Sequence, residues 1–332
     1  MIHRLVPVGV LLGAFVVPST AAATATADEE GAHRVFELQD DRIHESSGLA
    51  DLGSVMATVN DSGDTSRVFV LDPESGETVG LTDFHTEVTD VEALAPAGPH
   101  EVYVGDIGDN DREREYVTVH RVEVGPRQLD VEPASYRLAY PDGPHDAESL
   151  FADRAGRLHL ITKSFGGGTV YRAPKRLQSS RINVLEPVGR VGGYVTDAAL
   201  LRDGRHLLVR SLQQAKVYSM PDLTPVGSFA LPWQRQGEGI SVGPGGRIRI
   251  STEGAGTPVY EVALPDAISR TMRNPQAPTA SASPAAVDPP GGEGGQDDGE
   301  GDLDTTWLAW LTAAVLAAAA LGLVVATRRK SG

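Results

Sequence analysis

One unit recurs along this chain: an acidic lead-in, a short apolar strand, a turn, and a second strand. Its clearest copy is DVEALAPAGPHEVYVGDIGDN, from Asp90 to Asn110. HESSGLA with VMATVND, HDAESLFAD with RLHLITKS, TDAALLRDG with HLLVRSL, and GEGISVGPGG with RIRISTEG repeat it. With Glu45, Glu92, Glu148, Asp197 and Glu238 as markers, the separations are 47, 56, 49 and 41 residues. Periods of about 40 to 50 residues belong to units that cannot bury an apolar face alone and must stack on neighbours.

Each repeat offers four short strand candidates bounded by turn residues. In the second they fall at 92–96, 101–105, 116–124 and 135–140, and in the third at 149–152, 157–162, 169–173 and 184–191. The fifth has only three, at 240–242, 247–251 and 258–264, while RVFEL at 34–38 has no partner of its own. Pairing that strand into the last repeat closes a ring and removes two exposed edges. The expected fold is therefore all-β, a five-bladed β-propeller closed by an N-terminal strand. A sixth blade needs one more repeat. The Gly-His and Trp-Asp signatures of strict WD40 repeats are absent, Trp233 being the only Trp of the repeat region.

The flanks carry addresses. Residues 1–27 have a short basic start, an apolar run at 5–17 and A-x-A matches at 21–23 and 25–27, the pattern of a secretory signal peptide. Residues 28–268 are expected to form the propeller. Residues 269–304, rich in Pro, Gly and acid, cannot bury enough to order themselves and read as a linker. Residues 305–327 are uncharged from Trp307 on and long enough for one C-terminal transmembrane helix. Trp307 and Trp310 stand at one end, and Arg328, Arg329 and Lys330 of the tail (328–332) at the other, as the positive-inside rule expects. The expectation is an extracellular domain anchored to the membrane by that helix. A net charge of −16 argues against a nucleic-acid partner. With no cysteine, disulfides and thiolate metal sites are excluded.

In a propeller the innermost strand and its antiparallel neighbour bring the lead-ins and the second-strand ends to one face. From each marker to Asp61, Asp106, Lys163, Arg210 and Glu253 is 16, 14, 15, 13 and 15 residues. These five are candidates for ligand binding around the mouth. Glu92, Glu148 and Glu238 each stand two before a large aliphatic residue; in the first repeat that position is Ser47, and in the fourth it is Ala198, beside Asp197. Converging carboxylates repel unless protonated, solvated or bound to a cation. A ring of Ser47, Glu92, Glu148, Asp197 and Glu238 suits Ca²⁺, which takes six to eight oxygens in flexible geometry. Acidic residues that merely cap turns explain the same pattern. His44 and His145 lie beside the lead-ins. Gly166-Gly167-Gly168 lacks the Lys and helix of a phosphate cradle, and no G-x-S-x-G elbow is present.

The motifs VEALAPAGPHEVYVGDIG, HDAESL and GEGISV resemble the channel-facing strands of the calcium-activated nucleotidases (apyrases), five-bladed propellers with a central calcium held by Glu and Ser oxygens. The resemblance covers about a fifth of the chain, whose make-up also looks like that of an actinobacterial surface protein. It implies a metal-binding role for Ser47, Glu92, Glu148 and Glu238, and Asp197 departs from the family's Ser. Three functions fit. The first is a surface binding or scaffolding propeller whose partner is an unidentified extracellular ligand or protein. The second is a Ca²⁺-dependent phosphohydrolase or esterase in which Lys163 and Arg210 receive an anionic group. The third, a glycoside-active propeller, needs paired carboxylates and is disfavoured by a mouth without aromatic residues.

Overall fold

The second strands of the repeats are apolar at both parities, as in MATVN, LHLIT and HLLVRS, and nearly every residue in them is buried. Successive strand side chains point to opposite faces, so such strands need a core on each side. The computed structural model describes residues 31–61 and 63–274, and it meets this demand with five sheets arranged as blades.

The described chain starts with β1 (Ala32–Glu37). Blade one follows as β2 (Ser46–Asp51), β3 (Met56–Asn60), β4 (Arg67–Leu71) and β5 (Thr78–Phe84). Blade two uses β6 (Val91–Gly98), β7 (Glu101–Asp106) and β8 (Val117–Glu123); after β9 (Gln128–Val131) it is completed by β10 (Ala134–Ala139). Blade three is β11 (Ala147–Ala152), β12 (Leu158–Thr162) and β13 (Gly168–Arg172), then, past β14 (Asn183–Val184), β15 (Glu186–Val191). Blade four runs β16 (Asp197–Leu200), β17 (His206–Ser211), β18 (Gln214–Ser219) and β19 (Thr224–Ala230). Blade five has only β20 (Gly237–Val242), β21 (Ile248–Thr252) and β22 (Pro258–Val262) of its own. Its fourth strand is β1, antiparallel to β22 from Ala32↔Val262 to Glu37↔Pro258. The five-bladed all-β propeller closed by an N-terminal strand is thus observed.

Five apolar clusters lie one at each junction between neighbouring blades. Val102 and Val104 of β7 pack with Val68 and Val70 of blade one. On the other side of the same blade, Val117 and Val119 of β8 pack with Leu158 and Leu160. At the closing junction, Phe36 and Leu38 join Val259 of blade five to Leu49, Met56, Phe69 and Leu71 of blade one.

Two short strands depart from the four-per-blade pattern. β9 leaves blade two to pair in parallel with β5, and β14 leaves blade three to pair in parallel with β10. Each fastens a blade to its predecessor. The β9 crossing passes so close to β5 that a Cβ on Gly80 would lie 2.1 Å from the Gly125 carbonyl oxygen. After β22, α1 (Asp266–Arg273) continues past residue 268, with Ile268 buried against β19. The expected signal peptide, the linker from residue 275 on and the expected transmembrane helix lie outside the described residues; among the described residues no helix is long and apolar enough to cross a membrane.

Removing residues 31–38 should leave β22 as an open edge and empty the closing cluster. A Leu38→Ala change alone should cost about 2–5 kcal/mol, the usual range for a buried Leu, because Leu38 is fully buried. Denaturant unfolding measures both, and a truncated chain as stable as the intact one would show that another strand closes the ring.

Candidate metal centre at the acidic mouth

The innermost strands are β2, β6, β11, β16 and β20, and four of them carry a β-bulge near their start. The register of β6 against β7 skips between Val91 and Ala93, and that of β11 against β12 between Ala147 and Ser149. Comparable shifts lie between Ser46 and Leu49 in β2 and between Gly237 and Ile240 in β20. An extra unpaired residue bends the strand and re-aims a side chain. Here the unpaired stretches hold Glu92, Glu148, Ser47 and Glu238. Glycine follows two of them because the strands crowd together: a Cβ on Gly48 would lie 2.4 Å from the Leu94 amide nitrogen.

Ser47, Glu92 and Glu148 meet, while Glu238 stands outside the oxygen groups. The Ser47 hydroxyl donates to the Glu92 carbonyl at 2.9 Å, with Glu92 Oε2 at 3.2 Å. Oxygens of Glu92, Asp146 and Glu148 lie within 4.8 Å of one another, and so do those of Asp61, Asp90 and Glu92. Glu148 pairs with the Lys163 ammonium. Glu238 is 7% exposed, and its Oε2 is buried without a hydrogen-bond partner.

Burial sets the protonation. It raises Glu92 far above the carboxylate range, helped by the charges of Glu148, Asp61 and Asp90. It raises Glu148 too, against the pull of Lys163. Burial, then Glu148 and Glu253, brings Glu238 up to about 8; burial, then Asp61 and Asp146, brings Asp90 up to about 6. Against its own desolvation, Lys163 is held above its ordinary value by Glu148. One ammonium does not balance this set. A hard divalent cation fits the groups of Glu92, Asp146 and Glu148 and of Asp61, Asp90 and Glu92, whose donors are all oxygen.

The remaining expected residues have other tasks. The innermost strand of blade four has no bulge, and Asp197 pairs directly with Arg210 across β16 and β17. Both Asp197 oxygens accept backbone amides, from Ala198 at 2.8 Å and from Ile240 of the next blade at 2.8 Å. The structure leaves it out of the oxygen groups and makes it a brace between blades. Arg210 does not line the mouth as a free cation. It is fully buried, donating to the carbonyls of Gly239 at 2.5 Å and Ser251 at 2.7 Å and to Gln234, and burial lowers it to about 10. Asp106 accepts the Asp90 amide at 2.9 Å and pairs with Arg114 at 3.0 Å. Asp61 belongs to the second oxygen group. Glu253 takes the Gln236 amide at 2.6 Å and adds charge beside Glu238. His44 contacts exposed Glu45 at 3.5 Å, and the His145 ring lies 3.0 Å from the Tyr171 hydroxyl.

Asp90 and Asp146 were not among the expected ligands. Their signal was a shared D-x-E in TDVEAL and HDAESL. The GDND turn braces Asp146, which accepts the Asp109 amide at 2.9 Å, while Asp109 accepts those of Glu113 and Arg114. The mouth also has aromatic residues after all. Phe165, 95% exposed, lies 5.4 Å from the Tyr194 ring, and Tyr194 lies beneath Lys163. Trp233, 70% exposed, precedes Gln234 on the loop into β20.

No family model and no curated relative matches this chain. Among solved structures, a luciferin-regenerating enzyme is similar at TM-score 0.39 and 12% identity, over 70% of this chain and 92% of that one. A glucose dehydrogenase is similar at TM-score 0.45 and 10% identity, over 70% and 99%. The β-propeller domain of Cps50 (Swd1) from Myceliophteria thermophila is similar at TM-score 0.38 and 13% identity, over 65% and 82%. Likeness this remote bears on neither chemistry nor ligand, and the fold rests on the sheet topology above.

Asp90 and Glu238 hold protons more tightly folded than unfolded. Their contribution to stability is fully present below the unfolded values and lost as pH rises through about 6 and about 8. With a chelator present, the melting temperature should therefore fall from about pH 5 to about pH 8.5, and Glu238→Gln should flatten the fall. A profile that rises over that interval would mean the carboxylates are not in conflict.

Proposed function

We propose that the protein is a binding propeller that holds Ca²⁺ at its acidic mouth and uses it to capture an anionic ligand. The carrying observation is the buried oxygen group of Glu92, Asp146 and Glu148, with the Ser47 hydroxyl on Glu92 and, outside the group, a buried Glu238 Oε2 without a partner that feels the Glu148 charge. The bound cation supplies charge neutralisation and an open coordination position for the ligand. With Glu148 committed to the cation, Lys163 is released toward the ligand. Phe165 and Tyr194 beside it offer apolar contact. The same proposal places the propeller outside the cell on a membrane anchor, which rests on the sequence of residues 1–27 and 305–327. Protease added to intact cells should then release the propeller; protection until lysis would refute that placement.

Asp90 favours a second reading, hydrolysis of a phosphate or carboxylate ester. A carboxyl raised to about 6 by burial is suited to accept a proton from attacking water near neutral pH, while Lys163 holds the anionic group.

Cation binding to the folded ring alone raises stability by about 2.7 kcal/mol at a hundredfold excess over Kd. Added Ca²⁺ should raise the melting temperature, a chelator should lower it, and Glu148→Gln and Glu238→Gln should each blunt the response. Mg²⁺ should do less, since it gives up water reluctantly. Indifference to both Ca²⁺ and chelator would reduce the oxygen set to turn caps and protonated pairs. A panel of phosphate and carboxylate esters, with and without Ca²⁺, separates the readings: turnover abolished by Asp90→Asn makes the protein an enzyme.

A further inference from the structure

The channel has a second mouth of opposite character. Past their starts the five innermost strands each bring a large aliphatic residue to the channel, and Leu49, Leu94, Leu150, Leu200 and Ile240 line a cavity of about 150 Å³. Apolar cavities of about this size stay dry and accept a molecule such as benzene. One wall is polar. Ser241 lines the cavity, is 3% exposed, and its hydroxyl is buried without a hydrogen-bond partner.

Arginines stand at this mouth on three of the five turns that join an innermost strand to its neighbour, those of blades three, four and five. Arg154 follows the cavity residue Ala152 by two positions, and its Cδ lies 2.1 Å from where a Cβ on Gly204 would be, across the turn of blade four. Arg202 likewise follows Leu200 and reaches the turn of blade five at Gly246. Arg205 and Arg247 stand on those same two turns, and all four arginines are exposed. Among the described residues none of the four has an ion-pair partner. Asp153 accepts the amides of Ala155 and Arg157, and Asp203 accepts those of Arg205 and His206 and the His206 ring; buried Asp51, at the end of β2, accepts the Gly53 amide and lies 4.0 Å from buried Arg249.

We propose that this mouth is a binding site for a small organic carboxylate, whose aryl or short alkyl body enters the apolar channel while its charge meets Ser241 and the arginine rim. Guanidinium groups match a carboxylate in geometry as well as charge, through paired N–H donors. An apolar body without the charge leaves Ser241 and the arginines unused. A cation is repelled. The site is independent of the acidic mouth and needs no metal.

The test is a fluorine NMR titration of the full-length chain with para-fluorobenzoate, para-fluorobenzyl alcohol and para-fluorobenzylamine, with para-fluorophenylhexanoate to compare a longer body. The benzoate should bind saturably and at least tenfold more tightly than the alcohol, and the amine should not bind. Ala199→Leu, which fills the cavity, should abolish binding with the melting temperature and its Ca²⁺ response kept. Should that variant fail to fold, Ser241→Ala and the pair Arg154→Gln with Arg202→Gln should each weaken the benzoate at least fivefold and leave the alcohol unchanged. Equal affinity for all three probes, no saturable binding, or benzoate binding indifferent to Ser241→Ala and to the arginine pair would overturn the proposal. Benzoate binding that depends on Ca²⁺ would overturn it as well, by moving the ligand to the acidic mouth.

Discussion

Every blade of this protein is apolar on both faces, and that condition governs the rest of the structure. A sheet with two apolar faces has no stable position except between two others, so the row of five must close on itself. Closure falls to β1, which supplies the missing strand of blade five and carries Phe36 and Leu38 into the core shared with blade one. The fully buried side chains on either side of that seam, Leu49, Met56 and Leu71 among them, depend on six residues from the opposite end of the domain. The parallel additions β9 and β14 reinforce two of the other junctions without altering the ring.

Closure brings five strand starts to one axis, and the bulges decide what points there. Four starts carry an extra residue. The fourth blade does not, and at that place Asp197 and Arg210 are spent on holding blades four and five together through backbone amides and carbonyls. The ring of oxygens is therefore incomplete on one side, with Lys163 the ammonium paired into it from blade three. Burial opposes the charged state of these carboxylates, and their mutual repulsion adds to it. The same crowding that forms the site makes it a poor place for bare anions. At the far mouth the strands are mostly apolar, Asp51 at the end of β2 lies beside buried Arg249, and the arginines of three turns are left without ion-pair partners among the described residues. The channel is thus polarised from one end to the other.

Much of this could be read from the chain alone. The repeat spacing, the four strands per repeat, the three in the last and the lone RVFEL are local patterns, and they determine the blade count and the closure. Ser47, Glu92, Glu148 and Glu238 were visible too, because each stands two residues before an aliphatic side chain that packs along the channel. Asp90 and Asp146 were overlooked although the D-x-E spacing repeats, since nothing in one strand says which of two neighbouring carboxylates turns inward.

Register and burial were left to the tertiary structure. A bulge is a property of two strands counted against each other, so its absence from β16 could not be seen in TDAALL, where Asp197 looks like its counterparts. Arg210 sits where other repeats place a mouth residue, and only the packing of blade five over it turns a candidate ligand contact into a buried staple. Phe165 and Tyr194 are nearly thirty positions apart and meet because β13 pairs with β15 within blade three, Gly168 opposite Val191. By itself the sequence determined the number of blades and how the ring shuts, because period and alternation are written residue by residue. Which side chains face the axis was decided by strand pairing and by the burial that ring closure imposes.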